Sequence, residues 1–418
     1  MELGYRYRLY PTVEQADALL GQMRLCRWVW NQARALRERV WRAERRSVGY
    51  GELCRHLTAA RAEFGWLAGG SCDAQQQAVR ELCAAYGRVW AARRNGKRAG
   101  RLPGYRSAKR GAWRTVRYTR NGHRLRAGKL SVAGVPGAIE VRLSRPLPSK
   151  PKSVTVTCDA AGRWHASFRV EVELEAPATT GRVVGIDLGV AAAYALSDGH
   201  IEANPRHLGR RERALRRSQR ALARKRKGSA NRAKQKARVA REHARVADAR
   251  RDFQHQQTTS LVRSHDVICV ETLNVAGMTA SACGTLGRPG RNVRQKAGLN
   301  RAILDVGWSQ TVAMLDYKTK LYGRELRKID RWYPSSKTCS ACGTAKTKLS
   351  LAERTYHCEH CGLVLDRDVN AAINILAAGL AESQNACGGR VRPTTPRVRG
   401  QHPAKQETPL ATAGIPHL

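Results

Sequence analysis

Acidic residues are scarce in this chain of 418 residues: 33 Asp and Glu stand against 76 Lys and Arg. The resulting formal net charge of +43 excludes a strongly basic partner and points to a polyanion. Nucleic acid is the expected one, held by strong, salt-dependent contacts; a basic membrane binder is the rival. Arginine dominates the basic residues, and its planar fork suits phosphate. Long apolar runs are also missing. No stretch approaches the ~20 residues that a membrane span needs. The opening Met1-Glu2 leads into alternating Tyr and Arg, without the apolar run of a signal peptide. Of the 12 cysteines, Cys26, Cys54, Cys72, Cys83, Cys158, Cys269, Cys283 and Cys387 are scattered with no paired framework. The expected compartment is a reducing cytoplasm, where close cysteine pairs hold metal rather than form disulfides. No internal repeat is visible, and the Arg-, Ala- and Gly-rich composition suits a GC-rich bacterial genome.

Hydrophobic periodicity divides what remains. Residues 3–10 alternate as a strand does, and Pro11 ends it. Thr12 and Gln15 make a capping box for a helix running to about Arg46. A second helical block covers 74–94. Residues 113–174 read as β structure, with Asn121-Gly122 as a hairpin turn between T-V-R-Y-T and H-R-L-R-A and further strands at 138–143, 153–158 and 164–173. With the strand at 3–10 they make a small barrel into which 13–104 is inserted. After a linker at 177–181, R-V-V-G-I-D-L-G-V is a buried strand ending in Asp187. Two more strands follow, with a turn at Asp198-Gly199. Residues 210–251 hold 18 Lys/Arg and 3 acids in a long helix or helix pair broken near Gly228-Ser229. H-D-V-I-C-V-E is another buried strand, ending in Glu271. Residues 279–300 read as a Gly-rich basic loop, 302–322 as one amphipathic helix, and R-E-L-R-K-I-D as a strand. From Gly379 the basic tail lacks periodicity, as a segment disordered on its own does.

Two motifs carry chemistry. Cys339, Cys342, Cys358 and Cys361 form two CxxC pairs fifteen residues apart, each followed by glycine (Gly343, Gly362). This spacing fits a zinc ribbon whose four thiolates close the coordination sphere, so the metal is structural. His357 and His360 could compete as ligands, but four cysteines leave little need for them.

The second motif is a set of acids. Asp187 and Glu271 end separate apolar strands, and Asp368 opens a helix of small and apolar residues. Singly, each has a bland reading: a turn former, a surface residue, and a helix N-cap. Jointly, in so basic a protein, they suit two divalent cations roughly 4 Å apart, one activating water and the other stabilising the leaving 3′ oxygen of a phosphodiester. Mg²⁺ or Mn²⁺ would be the hard, oxygen-seeking ion. Asp366 competes with Asp368. Asp198 and Asp305 are weaker candidates, read as turn and surface residues. The nearly uniform charge of 210–251 suits phosphate tracking. Tyr5, Tyr7, Tyr10, Trp28, Trp30, Trp41, Tyr105, Trp113 and Tyr118 could stack bases, although their spacing places most of them in the core.

Over roughly residues 1–378 the chain resembles the TnpB family of transposon-encoded, RNA-guided DNA endonucleases and the related compact type V CRISPR effectors. G-I-D-L-G at 185–189, V-E-T-L-N at 270–274 and D-R-D-V-N-A-A at 366–372 look like the three RuvC motifs. W-Y-P-S-S-K-T-C-S-A-C-G at 332–343 and C-E-H-C-G at 358–362 look like the family's zinc finger. The start, Y-R-Y-R-L-Y-P-T-V-E-Q, and P-G-Y-R-S at 103–107 look familial too. The resemblance implies a multidomain α+β layout. A wedge β-barrel (1–12 and 105–178) would hold a helical recognition domain (13–104). A RuvC-like nuclease of RNase H fold (179–330 and 365–378) would carry the zinc finger (331–364), ahead of a basic tail (379–418). It also implies Asp187, Glu271 and Asp368 as the Mg²⁺-binding catalytic acids, a guide RNA, double-stranded target DNA beside a short recognised motif, and action as a monomer or as a homodimer on one RNA. Two other classes stay open: a nucleic-acid binder that blocks without cutting, and a transposase catalysing strand transfer.

Overall fold

In the computed structural model, residues 1–96, 100–107, 114–119, 121–173, 177–350 and 352–384 are described. They form two units, one built from 1–176 with 207–252 and the other from 177–206 with 253 onward.

The first unit begins with β1 (Glu2–Tyr10), where Tyr7 and Leu9 point inward. The predicted capping box starts α1 (Val13–Glu44): Gln15 N–H donates to Thr12 Oγ1 at 3.2 Å, and Thr12 N–H donates to Gln15 Oε1 at 3.1 Å. Then come α2 (Tyr50–Glu63), α3 (Gly65–Ala68) and α4 (Cys72–Arg94). The first two of these lie between the two expected helical blocks. Six strands follow: β2 (Thr115–Thr119), β3 (His123–Arg126), β4 (Lys129–Val132), β5 (Ile139–Arg142), β6 (Ser153–Cys158) and β7 (Trp164–Glu171). They join β1 in a seven-stranded sheet of order β2-β6-β7-β1-β5-β4-β3. Leu19, Met23 and Val29 of α1 and Leu82 of α4 share one core with Leu9, Tyr118 and Phe168 of the sheet.

The expected hairpin at Asn121-Gly122 does not form. β2 pairs with β6 and β3 with β4, so the turn links the two edges of the sheet, which curls until it is nearly closed. Local turn chemistry was right, but the partners of each strand are set by long-range pairing.

The second unit opens with β8 (Val183–Asp187), β9 (Ala192–Leu196) and β10 (Ile201–Ala203). The basic segment then folds as α5 (His207–Ala223) and α6 (Ala230–Ser264), broken at Gly228 with φ +86°. The first unit takes its residues through 252. Within that unit the two helices form a hairpin: Gln235 Nε2 donates to Ser218 O at 3.0 Å, and Arg232 Nη1 donates to Leu222 O at 2.8 Å. Leu215 is the one buried residue of α5, leaving its arginines to solvent.

Beyond α6 lie β11 (Val267–Glu271), α7 (Val275–Met278), the short pair β12 (Gly284–Thr285) and β13 (Arg288–Pro289), α8 (Val293–Val306), α9 (Trp308–Leu321), β14 (Glu325–Ile329), β15 (Thr355–His357), β16 (Val364–Asp366) and α10 (Arg367–Gln384). The single helix expected over 302–322 is two, split at Gly307 (φ +78°), and the first starts inside the expected loop. The last helix likewise runs past Gly379, where the tail was expected to begin. The disorder expected of the tail beyond it, with Cys387 and Trp113, lies outside the described residues.

The second sheet has the order β10-β9-β8-β11-β14. β8, β11 and β14 are parallel, and β9 and β10 are antiparallel additions. Side chains alternate across it. Val184, Ile186, Ile268 and Val270 face a core shared with Leu261 and Val262 of α6, Ile303 of α8 and Leu315 of α9. The intervening residues, Gly185, Asp187, Cys269 and Glu271, therefore belong to the opposite face, where Cys269 and Ile329 pack with Ile375 of α10.

Candidate functional site: a carboxylate cluster beside four cysteines

Parallel pairing brings the first two acids together. The register of β8 with β11 runs from Val183↔Val267 to Ile186↔Val270, so the next residue on each strand is Asp187 and Glu271. Neighbouring strands lie about 4.8 Å apart. Both acids occupy the carboxyl-terminal edge of the sheet on the face that α10 covers.

Small residues allow α10 to lie on that face. Ala371, Ala372 and Ile375 are fully buried. A Cβ on Gly185 would fall 2.1 Å from Ala372 O, and one on Gly379 would fall 2.4 Å from Cys269 Sγ. Asp368 stands one turn before Ala372 on the same helical face.

The helix start also separates the two competing aspartates. Asp366 Oδ1 accepts the N–H of Asp368 at 2.8 Å and of Val369 at 3.2 Å. Asp366 is thus the N-cap, and the carboxylate of Asp368 is left for other work. Arg367 touches Asp368 Oδ1 at 3.4 Å.

These placements have an electrostatic consequence. The carboxyl of Asp187 is pushed up to about 7, first by burial and then by the charges of Asp368 and Glu271; Arg367 opposes the shift and Asp366 adds to it. Burial also raises Glu271. Four acids from four elements gather in a chain of +43, a set that a hard divalent cation would relieve. Protons and cation compete for Asp187. Divalent-metal affinity, read by Mn²⁺ titration with electron paramagnetic resonance, should fall about tenfold per pH unit below 7 and level off above it. An affinity constant from pH 5.5 to 8 would contradict this electrostatic picture.

The weaker candidates lie elsewhere. Asp198 accepts His200 N–H at 3.1 Å in its turn. Asp305 is buried on α8, not at the surface as expected. Tyr7, Trp30 and Tyr118 are core residues, whereas Tyr10, Trp41 and Tyr105 are exposed.

The four cysteines meet as their spacing predicts. Their sulfurs lie within 4.8 Å of one another, with Cys339–Cys361 and Cys342–Cys358 at 3.6 Å. Tetrahedral ligands 2.3 Å from zinc would stand about 3.8 Å apart, so the set fits that ion. Each knuckle closes in the same way. Gly343 N–H donates to Cys339 O and Gly362 N–H to Cys358 O, both at 3.0 Å, with φ +75° and +73°. Hydrogen bonding with Thr344 lowers the Cys342 thiol, while in Cys361 a bond with the Leu363 backbone is outweighed by burial and the three neighbouring sulfurs, which raise it. His357 and His360 are exposed and outside the ligand set.

Sequence reasoning passed over two asparagines between these sites. Asn370 and Asn374 of α10 are buried and bond to the backbone around Cys339. Their i, i+4 spacing on an otherwise apolar helix was the available signal.

Comparison with known proteins agrees with this layout. A family described as a probable transposase matches residues 167–282, which include Asp187 and Glu271. A Cas12f1-like TNB domain family matches 308–375, which include the cysteines and Asp368. A helix-turn-helix family matches 1–46, although here that stretch is a strand and one long helix. A Streptomyces pristinaespiralis protein named as a candidate RNA-guided DNA endonuclease is 42% identical over 99% of this chain and 98% of its own. InsQ of Escherichia coli K12, with the same kind of name, is 33% identical over 94% of this chain and 96% of its own. The fold is similar to that of Cas12f1 in its complex with guide RNA and target DNA (TM-score 0.54, 14% identity), covering 87% of this chain and 83% of that one.

Proposed function

Because the chain belongs to the TnpB-like family of RNA-guided DNA endonucleases, we propose that it binds a guide RNA, reads a short motif beside a matching DNA target, and hydrolyses the DNA at one site formed by Asp187, Glu271 and Asp368. The observation that carries this reading is the joint placement of the three acids: two side by side at one sheet edge, a third from the helix over them, with Asp187 pushed up to about 7 by the arrangement.

The donor set is all oxygen, which suits Mg²⁺ and not a soft ion. When bound, paired divalent cations would offset the charge that an in-line phosphodiester displacement develops. The chain's own residues supply the frame. Asp187 and Glu271, on the sheet edge, and Asp368, from the helix over it, would hold the cations. Asp366 caps the helix start that presents Asp368. Arg367 trims the local excess of negative charge.

The two antiparallel and three parallel strands, with α10 on the acid face, support a RuvC-like nuclease of RNase H type over 179–330 and 365–378. The curled sheet supports a wedge role for 1–12 and 105–178, with helices from 13–104 inserted for target recognition. Residues 331–364 are read as a zinc finger on the DNA path. The exposed arginines of α5 and α6 offer a phosphate track that is independent of sequence. Base pairing by the guide would select one DNA strand, leaving the protein only the flanking motif to read. No helix among the described residues is long and apolar enough to cross a membrane; a bacterial cytoplasmic setting, where RNA and DNA are both within reach, is part of the reading.

The test begins with RNA that copurifies with the chain when its native locus is expressed. Sequencing should return one defined species. A DNA duplex matching its guide portion should then be cut when Mg²⁺ is added and not with EDTA. Binding without cutting in Mg²⁺ would favour a blocking protein, and joining of a labelled transposon end to target DNA would favour a transposase; either result rejects the reading.

A further inference from the structure

Asn370 lies two residues after Asp368 and is 0% exposed. Its Oδ1 accepts the N–H of Ser340 at 2.9 Å, and its Nδ2 donates to Thr338 O at 2.8 Å. One turn on, Asn374 Nδ2 donates to Ser335 O at 2.9 Å and to Thr338 O at 2.6 Å. All four bonds end on the backbone of 335–340, the stretch that carries Cys339 and leads to Cys342. Two buried amides are unfavourable unless satisfied, and an apolar residue would pack as well beside Ala371 and Ala372. What the amides add is direction. Gly185 sets how close α10 comes to the sheet. The sheet contacts lie along the Ala372, Ile375 and Gly379 face, and Arg367, whose Nε and Nη2 each donate to Asp368 Oδ1 at 3.4 Å, rides on the same helix, so the asparagines add a tie from the start of α10 to a separate element.

We propose that Asn370 and Asn374 are positioning residues, through which the four-cysteine knuckle sets the rotation of α10 and so aims Asp368 at Asp187 and Glu271. The inference rests on reading those acids as the divalent-metal site. A metal held by the four cysteines would then bear on DNA cutting through the helix, without having to touch nucleic acid.

The test uses the RNA-loaded full chain and three variants: Asn370→Ala, Asn374→Ala and Ser340→Pro. The last removes the knuckle N–H and leaves α10 unchanged. Each is assayed for zinc content by colorimetric release, for RNA retention, and for Mn²⁺ affinity by electron paramagnetic resonance. The expected result is retained zinc and RNA, Mn²⁺ affinity weakened about tenfold or more, and cutting restored by raising Mn²⁺. Stripping zinc from the wild type should weaken Mn²⁺ binding in the same direction. Unchanged Mn²⁺ affinity in Ser340→Pro and Asn370→Ala overturns the proposal. If Asn370→Ala fails to fold, Ser340→Pro decides alone. A wild type whose Mn²⁺ binding ignores Asp187→Ala would overturn the carboxylate reading instead, and the two failures are thereby distinct.

Discussion

Asp187→Ala should lower DNA cutting by about 10²–10³-fold or more, while guide RNA and target duplex stay bound. Asp187 is the acid on which the other charges of the cluster converge, so removing it takes away the donor that faces both partners. RNA and duplex binding rest on phosphate contacts spread over many arginines, and one acid at a sheet edge contributes little to them. Asp187→Asn sharpens the test, because it keeps the shape and removes the charge. In the metal-free protein the folded carboxyl is pushed up to about 7 from an ordinary 3.8. A folded value above the unfolded one means that the native state holds the extra proton between about pH 4 and 7, so stability falls as pH rises through that window. Asparagine carries no such dependence. With divalent metal removed, Asp187→Asn should therefore melt higher than the wild type at pH 8 and converge with it near pH 4. Normal cutting by either variant would remove Asp187 from the mechanism, and a lower melting temperature for Asp187→Asn at pH 8 would contradict the charge repulsion.

Gly185→Val should abolish cutting without altering any acid. A Cβ there meets Ala372 O at 2.1 Å and Leu376 N at 2.7 Å, both backbone atoms of α10 that cannot swing aside. The helix must lift from β8, carrying Asp368 with it. Overpacking of this kind costs about 1–3 kcal/mol, and the lost contacts of Ala371, Ala372 and Ile375 add to it. Urea unfolding should show the loss of stability, and Mn²⁺ affinity should fall with it. Gly199→Ala, at an exposed turn with open space around it, serves as the contrast: its positive φ makes it a strain control without the clash, and it should still cut. Wild-type stability and cutting in Gly185→Val would show that close approach of α10 is not what builds the site.

Both results bear on how the site could be read from residues alone. Asp187 and Glu271 were visible because a carboxylate ending an apolar strand is expensive without a reason. The cysteines were visible because knuckle spacing is short-range and chemically narrow. Asp366 and Asp368 could not be separated by the same means, since either could cap a helix; the hydrogen bonds from Asp368 and Val369 show Asp366 as the cap. The Asn121-Gly122 turn was correct in its chemistry and wrong in its partners, because a turn does not encode which distant strand its flanks will pair with. Gly307 split one expected helix into two, since the apolar stripe continues across the break and only the backbone angle reveals it.

The sequence by itself determined the basic character of the chain, the thiolate set, and Asp187 and Glu271 at the ends of apolar strands, all of which follow from composition, spacing and local period; Asp368 stood out there only with Asp366 beside it. Tertiary structure decided that Asp187 and Glu271 fall in register, that α10 lies close enough over Gly185 for Asp368 to join them, and that two asparagines tie that helix to the cysteine knuckle. The physical reason is separation along the chain. Asp187, Glu271 and Asp368 are joined by no local rule, and only sheet pairing and the packing of a small-faced helix bring their charges to one place.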